Sequence, residues 1–193
     1  DHRLVCGDAR DEAAYEELMV AADGSAERAQ MVFTDPPYNV RIRGNVTSSQ
    51  KIGHREFVMG SGEMDRDGFE AFLKSTCARM AAWSTDGSIH FICMDWRHID
   101  EISRAGGEVY VELKNLIVWA KDNAGMGSFY RSRHELVFAF KNGTAPHINS
   151  FELGQHGRSR TNVWNYRGIT SPTKDSREAL ALHPTVKPVA MVA

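Results

Sequence analysis

Long apolar runs are missing from this 193-residue chain. None approaches the ~20 residues that a helix needs to cross a bilayer, so no helical span is expected. The first residues, Asp1-His2-Arg3, lack the apolar stretch of a secretion signal. Cysteine is scarce: Cys6, Cys77 and Cys93 are odd in number, and no two stand in Cys-x-x-Cys spacing. That argues against a disulfide framework and points to reduced, mostly core thiols in a cytoplasmic protein. The eight histidines are scattered without ligand spacing, so no metal site is expected. Internal repeats and low-complexity tracts are absent. So is any excess of one charge. The net charge is −2, which by itself argues against a nucleic-acid binder.

What is present suits one globular domain with a real core: 42% of residues are hydrophobic and 25% charged. The charge is unevenly spread. Residues 1–35 carry nine acids against three Lys/Arg, and residues 121–177 carry nine Lys/Arg against four acids. Such asymmetry suits a face that meets a polyanion. A solvated charged surface accounts for it equally well.

The most informative stretch is Thr34-Asp35-Pro36-Pro37-Tyr38-Asn39, directly after the apolar run Met31-Val32-Phe33. The run reads as a buried parallel strand. Two prolines cannot continue a ladder, because each lacks an N–H and has a fixed φ. The strand therefore stops at Asp35. In open α/β sheets, ligands bind beyond the carboxyl ends of strands. A carboxylate, a stiff turn and an aromatic ring thus arrive together where such folds do chemistry. Asp35 and the Pro36 carbonyl form two aligned acceptors beside the flat Tyr38 ring. That combination suits a planar group bearing an NH2, such as a nucleobase edge.

Along the chain, Leu4-Val5-Cys6 reads as a short strand, turned by Gly7-Asp8 into a helix over about 11–22. Residues 40–67 hold no period and carry Arg41, Arg43, Lys51 and Arg55, as a mobile lid would. Gly60-Ser61-Gly62 is a poor dinucleotide fingerprint, since no strand precedes it and no helix opens from it. Phe69, Phe72, Leu73, Cys77 and Met80 fall at helical spacing over about 68–83. Asp86-Gly87 reads as a turn into a strand over 88–94. Asp95-Trp96 leads into a helix with Ile99 and Ile102 inward, ended by Gly106-Gly107. Residues 116–119 and 136–140 are strands, and the turn-rich loop between them predicts an antiparallel pair. Residues 141–181 are irregular, and within them Val163-Trp164-Asn165-Tyr166-Arg167 interleaves aromatics with a basic residue. Trp164 and Tyr166 suit base stacking, or equally the anchoring of a long loop.

Asp35-Pro36-Pro37-Tyr38-Asn39 resembles the catalytic motif of the amino-methylating DNA methyltransferases of the N6-adenine type. Leu182-His183-Pro184-Thr185-Val186-Lys187-Pro188-Val189 resembles the His-Pro-Thr-x-Lys-Pro element of their β group. Cys6-Gly7-Asp8-Ala9 resembles that group's turn upstream of the catalytic strand. Residues 125–135, which include Tyr130, Arg131, Arg133, His134 and Glu135, resemble the element lining the target-base pocket in that family. The segment at about 141–181 occupies the place of the family's target-recognition region.

The resemblance implies an α/β, Rossmann-like S-adenosylmethionine-dependent fold, with a mixed sheet, an antiparallel edge pair and helices on both faces. It implies one catalytic domain over 1–193. The family's following Phe-x-Gly-x-Gly turn does not occur before Ala193, so that domain is expected to be incomplete. The implied reaction moves a methyl group from S-adenosylmethionine to N6 of a flipped adenine in double-stranded DNA. Asp35 and the Pro36 carbonyl would accept the amine's hydrogens, Pro37 would stiffen the corner, and Tyr38 would stack on the base. The implied cofactor residues are Asp8, Ala9, Asp35, His183, Thr185 and Lys187. The implied DNA contacts are Arg41, Arg43, Tyr130, Arg131, Arg133 and Trp164. A homodimer is compatible, and neither a membrane nor a metal is called for. N4 of cytosine is the nearest alternative target, although that type usually has Ser where Asp35 stands. A catalytically silent DNA-binding or assembly module is the alternative of a different class.

Overall fold

The computed structural model describes residues 2–41, 58–125, 129–149, 152–168 and 186–192. Helix α1 (Glu12–Met19) starts at Asp11, whose carboxylate accepts from the Ala13 N–H at 3.1 Å. It ends three residues before the expected 22, because Val20 takes an extended conformation and bridges Ala26. Leu4, expected in a strand, is 97% exposed, and residues 2–6 pair with no described strand. Three apolar residues without a partner ladder do not hold a strand.

The sheet begins with β1 (Ala29–Thr34), which pairs in parallel with β2 (Ser84–Met94). Asp86 and Gly87 do not precede β2 as a turn. They lie inside it, where the register with β1 shifts and Gly87 adopts φ +86°. A Cβ at Gly87 would stand 2.6 Å from the Pro146 carbonyl oxygen, so only glycine fits this irregularity. Strands β3 (Glu112–Ala120) and β4 (His134–Lys141) form the expected antiparallel pair. β4 inserts beside β2, and the three-residue β5 (Val163–Asn165) adds to β3 in parallel. The order is therefore β1-β2-β4-β3-β5, so the antiparallel pair is one strand in from the edge.

Alternation along the strands sorts the side chains onto two faces. Ile92, Met94, Leu136, Phe138 and Phe140 point to one face, under α2 (Arg66–Ala82) and α3 (Ile99–Val109). Phe69, Phe72, Leu73, Cys77 and Met80 of α2 are all buried there, as their spacing predicts. At ~2 kcal/mol for each large apolar side chain, this is the main adhesive of the domain. Cys93, Val137, Ala139 and Ile117 face the other way, with Phe33, Phe91 and Trp164 packed against them. Helix α4 (Val189–Val192) begins just after Pro188, and its Met191 shares a cavity of about 460 Å³ with Phe33, Phe91 and Trp164. Helices thus flank the mixed sheet.

Two expectations about α3 need correction. Ile99 is 38% exposed rather than inward, because a 3-10 turn (Trp96–His98) rotates the helix start. Gly106 does not stop the helix but lies buried within it, on the Phe140 ring. A Cβ there would fall 2.3 Å from Phe140 Cζ. Phe140 cannot yield, since it is 2% exposed and stacks on Tyr110 with ring centres 5.0 Å apart. Gly106→Ala should therefore cost about 1–3 kcal/mol by overpacking. Thermal denaturation should show Tm falling by roughly 2–4 °C per kcal/mol. An unchanged Tm would mean that the helix moves freely on the sheet.

Candidate active site

β1 delivers Asp35 at its carboxyl end, and Pro36-Pro37 turn the chain away. The corner is closed by Asn39, which has φ +53°, a left-handed conformation that Asn tolerates. Its Oδ1 accepts from the Gly62 N–H at 3.0 Å and the Met64 N–H at 3.3 Å, and its Nδ2 donates to the Met64 carbonyl at 2.8 Å. Gly60 packs on Pro37 so closely that a Cβ would stand 2.7 Å from the proline Cβ. Gly60-Ser61-Gly62 thus buttresses the proline corner, while the Glu63 carboxylate accepts from the Gly60 and Ser61 N–H groups. Residues 42–57, most of the expected lid, lie outside the described residues.

Tyr38 folds back over the end of the sheet and touches both core clusters. Its hydroxyl lies 2.7 Å from Asp35 Oδ1 and 3.1 Å from Glu135 Oε2, and its one proton serves one of them at a time. Burial, then the charges of Glu135 and Asp35, push its pKa well up, so it stays a neutral hydroxyl. Glu135 is the second residue of β4, and Lys121 comes just after the end of the neighbouring β3. Lys121 Nζ donates to Glu135 Oε1. Lys187 arrives from the far end of the chain, and its Nζ lies 2.8 Å from Asp35 Oδ2, 3.0 Å from Glu135 Oε2 and 3.2 Å from the Tyr38 oxygen. Its ammonium also stands over the Tyr38 ring at 5.2 Å and near the Trp119 ring at 5.9 Å.

The electrostatics follow from this geometry. The cluster holds two carboxylates and two ammonium groups, at the low dielectric of a sheet end. Burial by itself would raise the Glu135 pKa, but the Lys187 and Lys121 charges outweigh it and hold the carboxyl well below its ordinary range. Burial would likewise strip the Lys187 proton, but Glu135 and Asp35 outweigh it and push the pKa up. Cys93, buried behind them, is pushed up to about 12 by burial, then by Asp35, and stays a thiol.

The expected residues are only partly brought together. Asp35, Pro36, Pro37, Tyr38 and Lys187 share one site. Among the described residues, no hydrogen bond or ion pair joins Asp8 or Ala9 to that cluster. Asp8 is bound by its own neighbour: Arg10 Nη2 lies 2.6 Å away and holds its carboxyl down to about 2. The Ala9 carbonyl accepts from the Tyr15 hydroxyl at 3.0 Å. His183, Thr185 and Arg43 lie outside the described residues. Arg41 is exposed and packs beside Gly62. Tyr130 is 83% exposed, with its ring centre 4.5 Å from that of Phe129. Arg131 donates to the Gly125 carbonyl at 2.8 Å and the Ala124 carbonyl at 3.0 Å, so it braces its own loop. The exposed Arg133 gives its carbonyl to the Lys121 N–H at 2.9 Å. Trp164 packs on Phe91 with ring centres 6.1 Å apart, as a loop anchor would.

Sequence reasoning placed Glu135 in an element but gave it no role, and it passed over Lys121 and Trp119. The available signal was a charged residue at the mouth of each apolar strand, Lys121 after Leu116-Ile117-Val118-Trp119-Ala120 and Glu135 before Leu136-Val137-Phe138.

A mixed sheet with helices on its faces, and an acid–tyrosine corner at the carboxyl end of a parallel strand, define a Rossmann-like methyltransferase fold. The chain belongs to the DNA methylase family, which matches it over residues 29–193. No curated protein sequence matches. Among solved structures, the M1.HpyAVI–SAM complex is similar, with 14% identity and a TM-score of 0.54, over 88% of this chain and 70% of that one. M1.HpyAVI without SAM gives 14% identity and 0.52, over 86% and 66%. TTHA0409 from Thermus thermophilus gives 17% identity and 0.50, over 86% and 68%. At these identities the likeness establishes the fold.

The depressed Glu135 pKa has a consequence for stability. Its contribution should be fully present above the ordinary value near 4.5 and lost as the pH falls from there toward about 2. Glu135→Gln should therefore be less stable than the parent by roughly 1–3 kcal/mol at pH 7, somewhat below the ~3–5 of a fully buried pair. The gap should narrow as the pH falls below about 4.5. Urea titrations at pH 7 and pH 3.5 check this, and a constant gap would mean that Glu135 is not held ionised by its lysines.

Proposed function

We propose that the protein is a site-specific DNA methyltransferase acting on N6 of adenine, with S-adenosylmethionine as methyl donor. Family membership supports DNA methylation, and the M1.HpyAVI–SAM complex supports the cofactor class. The adenine target is the finer reading. The observation that carries it is the contact between the Tyr38 hydroxyl and Asp35 Oδ1 at 2.7 Å, on a corner whose Asp35 stays exposed.

The chemistry follows from what an exocyclic amine needs. Its lone pair is delocalised into the ring, so it is a weak nucleophile. Asp35 and the Pro36 carbonyl would accept its two hydrogens, drawing the nitrogen toward tetrahedral geometry and freeing the lone pair. Rigid acceptors do this without reorganising, which is where their catalytic value lies. Asp35 serves as an acceptor and aligner rather than a strong base, because the methylated ammonium loses its proton readily. The Tyr38 ring offers a flat face to a base taken out of the stack. The donor set fits the cofactor: the Asp35 and Glu135 carboxylates suit a nearby sulfonium, and the Lys187 ammonium suits a carboxylate. S-adenosylmethionine, when bound, supplies the electrophilic methyl group.

Asp35→Ala and Tyr38→Ala should each lower turnover by roughly 100-fold or more, with circular dichroism unchanged. Undiminished methylation by Asp35→Ala would reject the mechanism. Nucleoside analysis of methylated DNA should yield N6-methyladenine, whereas N4-methylcytosine would move the target to cytosine. Lys187→Ala should weaken S-adenosylmethionine binding, read by calorimetry, more than DNA binding. Equal cofactor affinity would remove Lys187 from the cofactor site.

A further inference from the structure

In the structure both oxygens of Asp35 are engaged, Oδ1 by the Tyr38 hydroxyl at 2.7 Å and Oδ2 by the Lys187 ammonium at 2.8 Å. An amine that is to donate to Asp35 must take one of these places. Leaving Asp35 is costly for Lys187, whose side chain is only 10% exposed: an ammonium buried without a counter-charge is strongly destabilised. Glu135 changes that. Its Oε2 lies 3.0 Å from the same ammonium and 3.1 Å from the same hydroxyl, so each donor on Asp35 has a second acceptor already in place. Its other oxygen is held by Lys121. Glu135 is also rigidly mounted, since it pairs with Trp119 in the β3–β4 ladder while Asp35 sits on an open corner.

We infer that Glu135 is a positioning residue that takes over Lys187 and the Tyr38 hydroxyl when Asp35 turns to the substrate amine. The resting site is then occupied by its own lysine, and Glu135 lowers the barrier to the exchange. Lys121 keeps Glu135 ionised and oriented for this. The inference rests on the reading of Asp35 as the acceptor of a substrate amine, but its central claim concerns the protein alone. Glu135 by itself must be able to hold Lys187.

That claim is testable without turnover. In the 1H–15N spectrum of lysine ammonium groups, a buried, hydrogen-bonded ammonium exchanges slowly and gives a resolved signal. Lys187 should show it in the parent protein, with Lys187→Arg providing the assignment by loss of the peak. The signal should persist in Asp35→Asn, where Glu135 alone remains, and vanish when Glu135→Gln is added. Loss of the signal in Asp35→Asn alone would overturn the inference. That measurement leaves Glu135 untouched, so a failure of Glu135→Gln to fold does not blunt it.

In the methylation assay, Glu135→Gln should lower kcat by roughly tenfold to a hundredfold with KM for DNA nearly unchanged, and Glu135→Asp should recover part of the loss. An unchanged kcat would also overturn the inference. If the parent protein methylates no DNA, the proposed function fails, and the ammonium signal still decides the role of Glu135.

Discussion

Two carboxylates facing two ammonium groups hold the working end of this sheet together. Asp35, Glu135, Lys121 and Lys187 come from the β1 corner, the mouth of β4, the end of β3 and the entry to α4. Glu135 and Lys187, the two most deeply covered members, would not be stable in such a place alone. A lone buried ion costs several kcal/mol, and only mutual pairing recovers it. The cluster therefore constrains the approach of its four parent segments, and any motion of one is felt by the others. Tyr38 adds an uncharged hydroxyl that can turn to either acid.

The sheet explains why these segments meet. β1 and β2 are parallel, so β1 ends where β2 ends. β4 runs the other way and begins at that same end, and β3 ends there too. Reversing one central strand thus brings the first residues of β4 to the same end of the sheet as the last of β1 and β3. The apolar layers beneath, α2 and α3 on one side and Phe33, Phe91 and Trp164 on the other, fix the height of the strand ends. Polar side chains can then meet at 2.8 and 3.2 Å between residues 152 and 149 apart in the chain.

Two glycines permit close approaches in the same frame. Gly60 lets the 58–64 segment press on Pro37, and Gly106 lets α3 settle on Phe140. Both were legible as glycines, yet one read as a failed fingerprint and the other as a helix stop. A glycine's meaning lies in what stands opposite it, and that partner is distant in sequence. The same limit applies to Arg131 and Trp164. Their composition suits DNA, and in the fold Arg131 braces its loop while Trp164 packs on Phe91.

Local physics was enough to read the proline-stopped β1, the acid and ring it delivers, the apolar stripe of α2 and the antiparallel pairing of β3 with β4. Each of these is set by neighbours within a few residues: a missing N–H, a period of 3.6, a turn between two apolar runs. Tertiary structure alone decided that β4 would enter beside β2, that Leu4-Val5-Cys6 would find no strand partner among the described residues, and that Lys187 would rest on Asp35 and Glu135. Those outcomes depend on which strand edges are free and on which charges must neutralise one another in a shared low dielectric, and such conditions exist only after the chain has closed on itself.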